Sequence, residues 1–414
     1  MFDGVVDVRG RRRAAARPAA PWPTAPGPGD LGGVAHNVAQ NVRRWMTDDV
    51  LAVRELARSF FTDEAVPRRA EWERRGGVEK DFWRKAGSLG LLGASVSERY
   101  GGGGGTLAHD LVIFQEQVRV GEHGFGNSMH SGVVAQYIEQ YGTPEQKLRW
   151  LPGMCSGDLV GALALTEPDA GSDLRGIRTT AVRGDDGYRV DGSKMFITNG
   201  SSADLIVTAV RTDPGAGTRG MSLLVVEADR TPGLRRGRRL AKLGQHTSDT
   251  APLYFQDALV PAGNLLGREG AGFLMLMRQL PRERLIIAAE AVAAARRAVD
   301  VTLDRAREAG LFAQQHVRFE IARCATQARV AESFLDNCVE QALNGELDTA
   351  TASMAKIWCT ETTGHIIDRC LDALGETAAH DPEFPLVRMR DDLRVQRIYG
   401  GTNEVMLEMV ASSL

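Results

Sequence analysis

The sequence has little cysteine, little uninterrupted apolar sequence and little excess charge of either sign. Its five cysteines show no Cys-x-x-Cys spacing, which excludes a cysteine-based zinc site and favours reduced thiols in a cytosolic compartment. The longest apolar stretches, such as residues 285–295, are far shorter than the ~20 residues of a membrane-spanning helix. The net charge of −3 comes from mixed charges, so no basic surface suited to nucleic acid or membrane is expected.

The length of 414 residues suits two or three domains, and 43% hydrophobic with 25% charged residues is typical of a globular protein. Residues 1–45 differ from the rest: three arginines at positions 11–13 lead into sequence rich in Ala, Pro and Gly. This segment is similar to a mitochondrial transit peptide in its arginines, but it has no serine. We therefore predict a disordered extension and a cytoplasmic, bacterial-like location rather than the mitochondrial matrix.

The rest of the chain changes its hydrophobic period twice. Apolar residues recur at helical spacing after Asp48, and short β-branched or aromatic runs separated by Gly, Pro and Asp follow from about residue 160. Helical texture returns after Gly272. We predict a multidomain α+β protein with an N-terminal α-helical domain (residues 46–160), a middle antiparallel β-barrel or sandwich (161–272) and a C-terminal four-helix bundle (273–414).

Two polar segments lie where the helical texture gives way to strands. Residues 165–173 read Leu-Thr-Glu-Pro-Asp-Ala-Gly-Ser-Asp, and residues 194–200 read Lys-Met-Phe-Ile-Thr-Asn-Gly. Two hydroxyl-bearing turns that frame an aromatic residue could form a wall for a flat heteroaromatic ring. Turn hydroxyls bonded to local backbone are the alternative interpretation, because that is the commoner arrangement of such residues.

With residues 242–250 and 398–404, these segments resemble the four signature motifs of the acyl-CoA dehydrogenase family, in the family's order, and the resemblance runs from about Asp48 to Met409. It implies an FAD cofactor and removal of two hydrogens from Cα and Cβ of an acyl thioester, with the flavin N5 as hydride acceptor. The implied FAD-binding residues are Leu165, Thr166, Phe196, Ile197, Thr198, Gln315, Thr402, Asn403 and Glu404. The implied substrate-binding residues are Ser172, Arg284, Gly400 and Gly401.

The catalytic base is the residue on which family members differ. Many carry a Glu directly after the tyrosine of the C-terminal motif, where this sequence has Gly400. Residues 279–285 (Gln-Leu-Pro-Arg-Glu-Arg-Leu) match a subset, typified by long-chain and isovaleryl-CoA dehydrogenases, that places the base on an earlier helix. The resemblance therefore implies Glu283 as the base. An ordinary acid in the first helical turn after Pro281 is the alternative, and Glu290 is the competing carboxylate.

Two departures from the family bear on cofactor binding. The segment that usually reaches the FAD pyrophosphate of a neighbouring subunit is altered at residues 305–313, and a glycine-rich loop has become residues 372–378, with Asp372 and Glu376. Acidic side chains would repel a pyrophosphate. A non-redox family member is therefore an alternative function, beside an acyl-CoA oxidase and the same dehydrogenation on an acyl-carrier-protein thioester. The resemblance also implies electron-transfer flavoprotein as the electron acceptor and a homotetramer, or alternatively a dimer.

Overall fold

The computed structural model of the protein describes residues 43–414. The extension predicted for residues 1–45 lies outside this range, apart from its last three residues. One of those three, Trp45, is buried, and its indole N–H donates a hydrogen bond to Asp336 Oδ1 at 3.0 Å. The packed part of the chain therefore already includes Trp45.

In the described residues, six α-helices precede the first strand. They are α1 (Asp48–Phe60), α2 (Arg69–Arg75), α3 (Lys80–Ser88), α4 (Leu107–Arg119), α5 (Ala135–Tyr141) and α6 (Pro144–Ser156). Local sequence explains the start of α6, where Thr143 and Gln146 form a reciprocal capping box and Pro144 occupies the first helical position. A π-helical segment, Ser128–Val134, leads directly into α5.

The middle of the chain forms one eight-stranded sheet. Its strands are β1 (Gly161–Ala164), β2 (Thr180–Arg183), β3 (Tyr188–Ile197), β4 (Leu205–Arg211), β5 (Met221–Glu227), β6 (Leu234–Arg236), β7 (Ala251–Val260) and β8 (Leu265–Leu266). Their order is β6-β7-β3-β2-β4-β5-β8, and β1 also pairs with β4. The sheet is mixed rather than purely antiparallel, because β1 and β2 both run parallel to β4. Parallel neighbours need a longer connection than a hairpin turn.

Helices make up the rest of the described chain. They are α7 (Gly272–Glu308), α8 (Gln315–Leu343), α9 (Thr349–Leu374), α10 (Glu376–Ala379), α11 (Pro385–Leu393) and α12 (Asn403–Ala411). The three long helices α7, α8 and α9 pack on one another, and α7 also packs on α4. Small side chains in the alanine-rich middle of α7 allow this close approach. The predicted order of a helical, a sheet and a helical part is confirmed.

Three further properties of residues 43–414 bear on function. All five cysteines are buried and unbridged. No helix in this range combines the length and the apolar character needed to cross a membrane. The same range contains no group of three or more His, Cys, Asp or Glu side chains arranged to hold a metal ion.

Candidate active site

Three consecutive side chains of α7, directly after Pro281, reach three different helices. The pairs are Arg282 Nη2 with Asp110 Oδ2 on α4 (2.6 Å), Glu283 Oε1 with the Tyr137 hydroxyl on α5 (2.9 Å), and Arg284 Nη1 with Ser353 Oγ on α9 (3.0 Å). A proline inside a helix removes one backbone hydrogen bond and loosens the helix at that point. The three cross-links hold α7 at this point, so that the direction of the Glu283 side chain is set by its neighbours.

Glu283 is half-buried beside α5. Burial raises the pKa of its carboxyl to about 7, against the opposing effects of the Tyr137 hydrogen bond and the positive charge of Arg284. Its second oxygen, Oε2, accepts no hydrogen bond from any residue of the 43–414 range. A carboxylate with one oxygen held, one oxygen free and a pKa near neutrality is suited to accept a proton at physiological pH.

The two polar segments predicted to bind the cofactor are joined by a buried lysine. Lys194 on β3 donates to Glu167 Oε1 at 2.8 Å and to the carbonyl of Leu165 at 3.1 Å. The adjacent Met195 N–H donates to the Thr166 carbonyl at 2.8 Å. Burial lowers the pKa of Lys194 to about 8, while the Glu167 carboxylate favours its charged form. The ion pair therefore holds residues 165–167 against β3.

Phe196 lies in a bulge of β3, where the register to β7 shifts between Lys194 and Ile197. Its φ is +59°, and 65% of its side chain is exposed, both unusual for a large aromatic residue. The hydroxyls of Thr166 and Thr198 form no hydrogen bond with any described residue. Local backbone therefore does not occupy these two hydroxyls, and the exposed ring and the free hydroxyls are available to a flat polar ring.

The C-terminal motif contacts α7 one turn beyond Glu283. Gly400 and Gly401 have φ of +66° and +87°, values that favour glycine. A side chain at Gly400 would overlap Ile287 Cδ1 on α7. The N–H of Gly400 donates to no acceptor among residues 43–414. Position 400 therefore offers a free backbone donor close to the face of α7 that carries Glu283, and a side chain there would be strained at this φ and would displace the terminal methyl of Ile287.

The residues after this turn are committed to the structure of the helices. Thr402 caps α12 by accepting from the Val405 N–H, and Glu404 is an exposed acid in the first turn. Asn403 is buried, accepts from Lys356 Nζ at 2.9 Å and donates to Thr360 Oγ1 at 3.1 Å. For Thr402 and Asn403, the contacts in the described structure are those of structural residues.

The remaining parts of the prediction are the two residues Ser172 and Gln315, the arginine next to Glu283, and the altered segment 305–313. Ser172 and Gln315 are exposed, and neither forms a hydrogen bond with another candidate residue of the 43–414 range. Arg284 is only 1% exposed, and its guanidinium contacts Ser353 on α9. In the altered segment 305–313, the Arg307 guanidinium stacks over the Phe312 ring, 5.5 Å from its centroid, and Arg305 lies 3.6 Å from Glu308.

Glu290 lies two turns beyond Glu283 on α7, a separation of about 10.5 Å along the helix axis. It is 8% exposed, and burial raises the pKa of its carboxyl to about 7, against the effect of a hydrogen bond from Ser128. Its charge and, above all, burial raise the pKa of Tyr399. Both carboxyls thus have a raised pKa, and their exposure and their neighbours distinguish them.

Sequence reasoning missed Tyr137 and gave no role to Lys194 or Arg282. Tyr137 is 146 positions away from the carboxylate that it contacts, and no motif marks it. A lysine next to a predicted ring-binding segment, with an acid in the other segment, was the only available signal for the Lys194–Glu167 pair.

Comparison with known proteins covers nearly the whole described chain. Residues 47–158, 162–258 and 270–414 match the N-terminal, middle and C-terminal domains of acyl-CoA dehydrogenases. The mitochondrial long-chain specific acyl-CoA dehydrogenase of Rattus norvegicus is 39% identical over 380 residues, which are 90% of this chain and 88% of that protein.

Solved structures show the same similarity. An acyl-CoA dehydrogenase from Geobacillus kaustophilus is 42% identical with a TM-score of 0.86, covering 89% of this chain and 99% of that one. A glutaryl-CoA dehydrogenase from Mycobacterium smegmatis, solved in complex with FADH2, is 25% identical with a TM-score of 0.83, covering 90% of this chain and 96% of that one.

Proposed function

The chain belongs to the acyl-CoA dehydrogenase family, a family of FAD-dependent oxidoreductases, and we propose that it converts a saturated acyl thioester to the trans-2-enoyl thioester with Glu283 as the base. The observation that carries this proposal is the environment of Glu283. Its carboxyl is half-buried with one free oxygen, and burial raises its pKa to about 7. It lies on the face of α7 that the C-terminal turn contacts, where Gly400 cannot supply a carboxylate.

The residues present fit a flavin ring. Phe196 offers an exposed aromatic face, and the hydroxyls of Thr166 and Thr198 are free to bind polar ring atoms. The buried Lys194–Glu167 pair holds the Thr166 segment in place beside β3. When bound, FAD supplies the acceptor for the hydride that leaves Cβ.

Glu283 performs the proton half of the reaction. Its free Oε2 would accept the α-proton of the thioester, and its raised pKa makes it a stronger base than an ordinary glutamate once it is ionised. The unpaired Gly400 N–H is the donor that we assign to the thioester carbonyl oxygen, on which negative charge develops as the α-proton leaves. Glu290, the competing carboxylate, lies two turns further along α7 and is only 8% exposed, which disfavours it as the base.

The substrate class follows the relatives, and its finer details are part of the proposal. We infer an acyl-CoA of medium, long or branched chain, with an acyl-carrier-protein thioester as the alternative carrier. We further infer electron-transfer flavoprotein as electron acceptor, a cytoplasmic location, and a homotetramer or dimer. Exposed apolar side chains on α8 and α9, including Phe319, Val330 and Trp358, support self-association. Light scattering at micromolar concentration tests this, and a monomer would contradict it.

Anaerobic mixing of the purified protein with acyl thioesters tests the proposed reaction. Saturated acyl-CoAs of graded length and an acyl-carrier-protein thioester are compared by the loss of flavin absorbance. We expect rapid bleaching by at least one acyl-CoA, with the trans-2-enoyl product found by mass spectrometry. Bleaching by the carrier-protein thioester alone would assign the alternative carrier, and fast reoxidation by O2 would assign an oxidase. A colourless protein that alters no thioester would support the non-redox alternative.

A further inference from the structure

Tyr137 is the only side chain of residues 43–414 that forms a hydrogen bond with Glu283. It lies on α5, is fully buried, and donates to Oε1 at 2.9 Å. Helix α5 continues from the π-helical segment Ser128–Val134. In this segment the five consecutive residues from His130 to Val134 are buried. The tyrosine therefore projects from a firmly packed element, and its hydroxyl has a fixed position relative to α7.

The electrostatic surroundings make Tyr137 a permanent donor. Burial, together with the charge of Glu283, raises its pKa well above the ordinary value for tyrosine, so that the phenol keeps its proton throughout the working pH range. The other group that acts on the Glu283 carboxyl is Arg284 on α7, whose charge favours the ionised form. Tyr141 on α5 does not act on this carboxyl; its own pKa is raised, mainly by burial.

We propose that Tyr137 is a positioning residue for the catalytic base: its phenol holds Oε1 of Glu283 so that Oε2 alone faces the substrate. This inference rests on the proposed role of Glu283. A carboxylate on a flexible side chain has several rotamers, and a buried donor at 2.9 Å selects among them. The hydrogen bond also favours the charged carboxylate over the neutral acid, so it keeps the base ionised at lower pH than burial alone would allow.

The sign of the pH effect follows from this bond. Glu283 must be ionised to accept a proton, so the reaction rate rises with pH through the pKa of the carboxyl and then levels off. Removing the donor leaves the desolvation effect opposed only by the charge of Arg284 and moves this rise to higher pH. A hydrogen bond to a charged group has an effect that corresponds to an upward shift of roughly one pH unit or more. A purely structural role for Tyr137 would lower the rate without moving the midpoint.

The test compares Tyr137→Phe with Tyr141→Phe. Tyr141 lies one turn along α5, with its ring centroid 6.1 Å from that of Tyr137, and its hydroxyl donates to the Met275 carbonyl at 3.3 Å. The two variants lose the same atom from the same helix, but only one loses the contact with Glu283. The pH dependence of single-turnover flavin reduction is measured for the parent and both variants. We expect an upward shift and a ten- to hundredfold slower reduction at pH 7 for Tyr137→Phe, and the parent profile for Tyr141→Phe.

A second measurement does not depend on turnover. The carboxylic C=O band of Glu283 is assigned by infrared difference spectroscopy through its absence in Glu283→Gln, and its titration is followed in substrate-free protein. Its midpoint should lie at higher pH in Tyr137→Phe than in the parent. Unchanged midpoints in both measurements would overturn the inference, even if Glu283 is confirmed as the base. If Glu283→Gln instead reduces its flavin normally, the proposed function fails, while the infrared shift still reports on the Tyr137 contact.

Discussion

Two positions of helix α7 carry a glutamate carboxyl in different surroundings. Glu283 and Glu290 lie on the same helix two turns apart, and burial raises the pKa of both to about 7. Glu283 is half-buried, receives one hydrogen bond from Tyr137 and lies between two arginines that tie α7 to α4 and α9. Glu290 is nearly inaccessible in an alanine-rich stretch and receives a hydrogen bond from Ser128. A raised pKa alone therefore does not identify a base; access and orientation do.

Glu283→Gln should have the largest effect on the reaction rate of the substitutions compared. The amide keeps the size of the side chain but cannot accept the α-proton, so single-turnover flavin reduction should fall by roughly 10²–10⁴-fold with little loss of FAD. Glu290→Gln is the matched control on the same helix and should keep a rate within about threefold of the parent, since removing a group without a chemical role costs little. Reduction of the Glu283→Gln flavin at the parent rate would show that the base lies elsewhere.

The pH dependence of flavin reduction in the parent protein should follow the ionisation of Glu283. Because the carboxyl must be ionised, and burial raises its pKa to about 7, the rate should rise about tenfold per pH unit below 7 and level off above it. The same midpoint should persist in Glu290→Gln. A rise centred near pH 4–5 would mean that Glu283 is more solvated than its burial indicates.

Gly400→Glu in the Glu283→Gln background tests whether the family's other base position is open. We expect little recovery of activity, because φ is +66° at Gly400, a strained value for any other residue, and a Cβ there would displace the terminal methyl of Ile287. The substitution should also lower the free energy of unfolding by about 1–3 kcal/mol, the usual effect of a non-glycine residue in this backbone region. Thermal unfolding and flavin reduction measure the two effects, and a restored rate would contradict the steric account.

Glu290→Gln should have its effect on stability rather than on rate. The pKa of Glu290 is raised in the folded protein, so the unfolded chain releases this proton first and stability falls as pH rises from about 4.5 to about 7. The stability of the glutamine variant does not fall with pH in this way. Its free energy of unfolding should therefore exceed that of the parent by about 1–3 kcal/mol at pH 8, with no such excess at pH 4. Glu346→Gln, at an exposed position, is the control for the substitution itself.

The order of the parts could be predicted from the sequence, and Glu283 stays the predicted base. Helical spacing after Asp48, short β-branched runs after residue 160 and alanine-rich helices after Gly272 are local patterns, and local patterns survive folding. The prediction of a purely antiparallel sheet needed refinement, because the parallel pairing of β1 and β2 with β4 depends on which strands meet across long connections. The predicted domain limits and site assignments stay predictions.

The family, the succession of helical and sheet parts, and the absence of a carboxylate at position 400 follow from the sequence alone, because motifs and residue identities are properties of the chain. The contacts of the candidate residues depend on the tertiary structure. It leaves the hydroxyls of Thr166 and Thr198 free while Thr402 caps a helix. It also brings Tyr137 to Glu283 across 146 positions of sequence. Hydrogen bonds, burial and the pKa of a carboxyl depend on neighbours in space, and long-range packing chooses those neighbours.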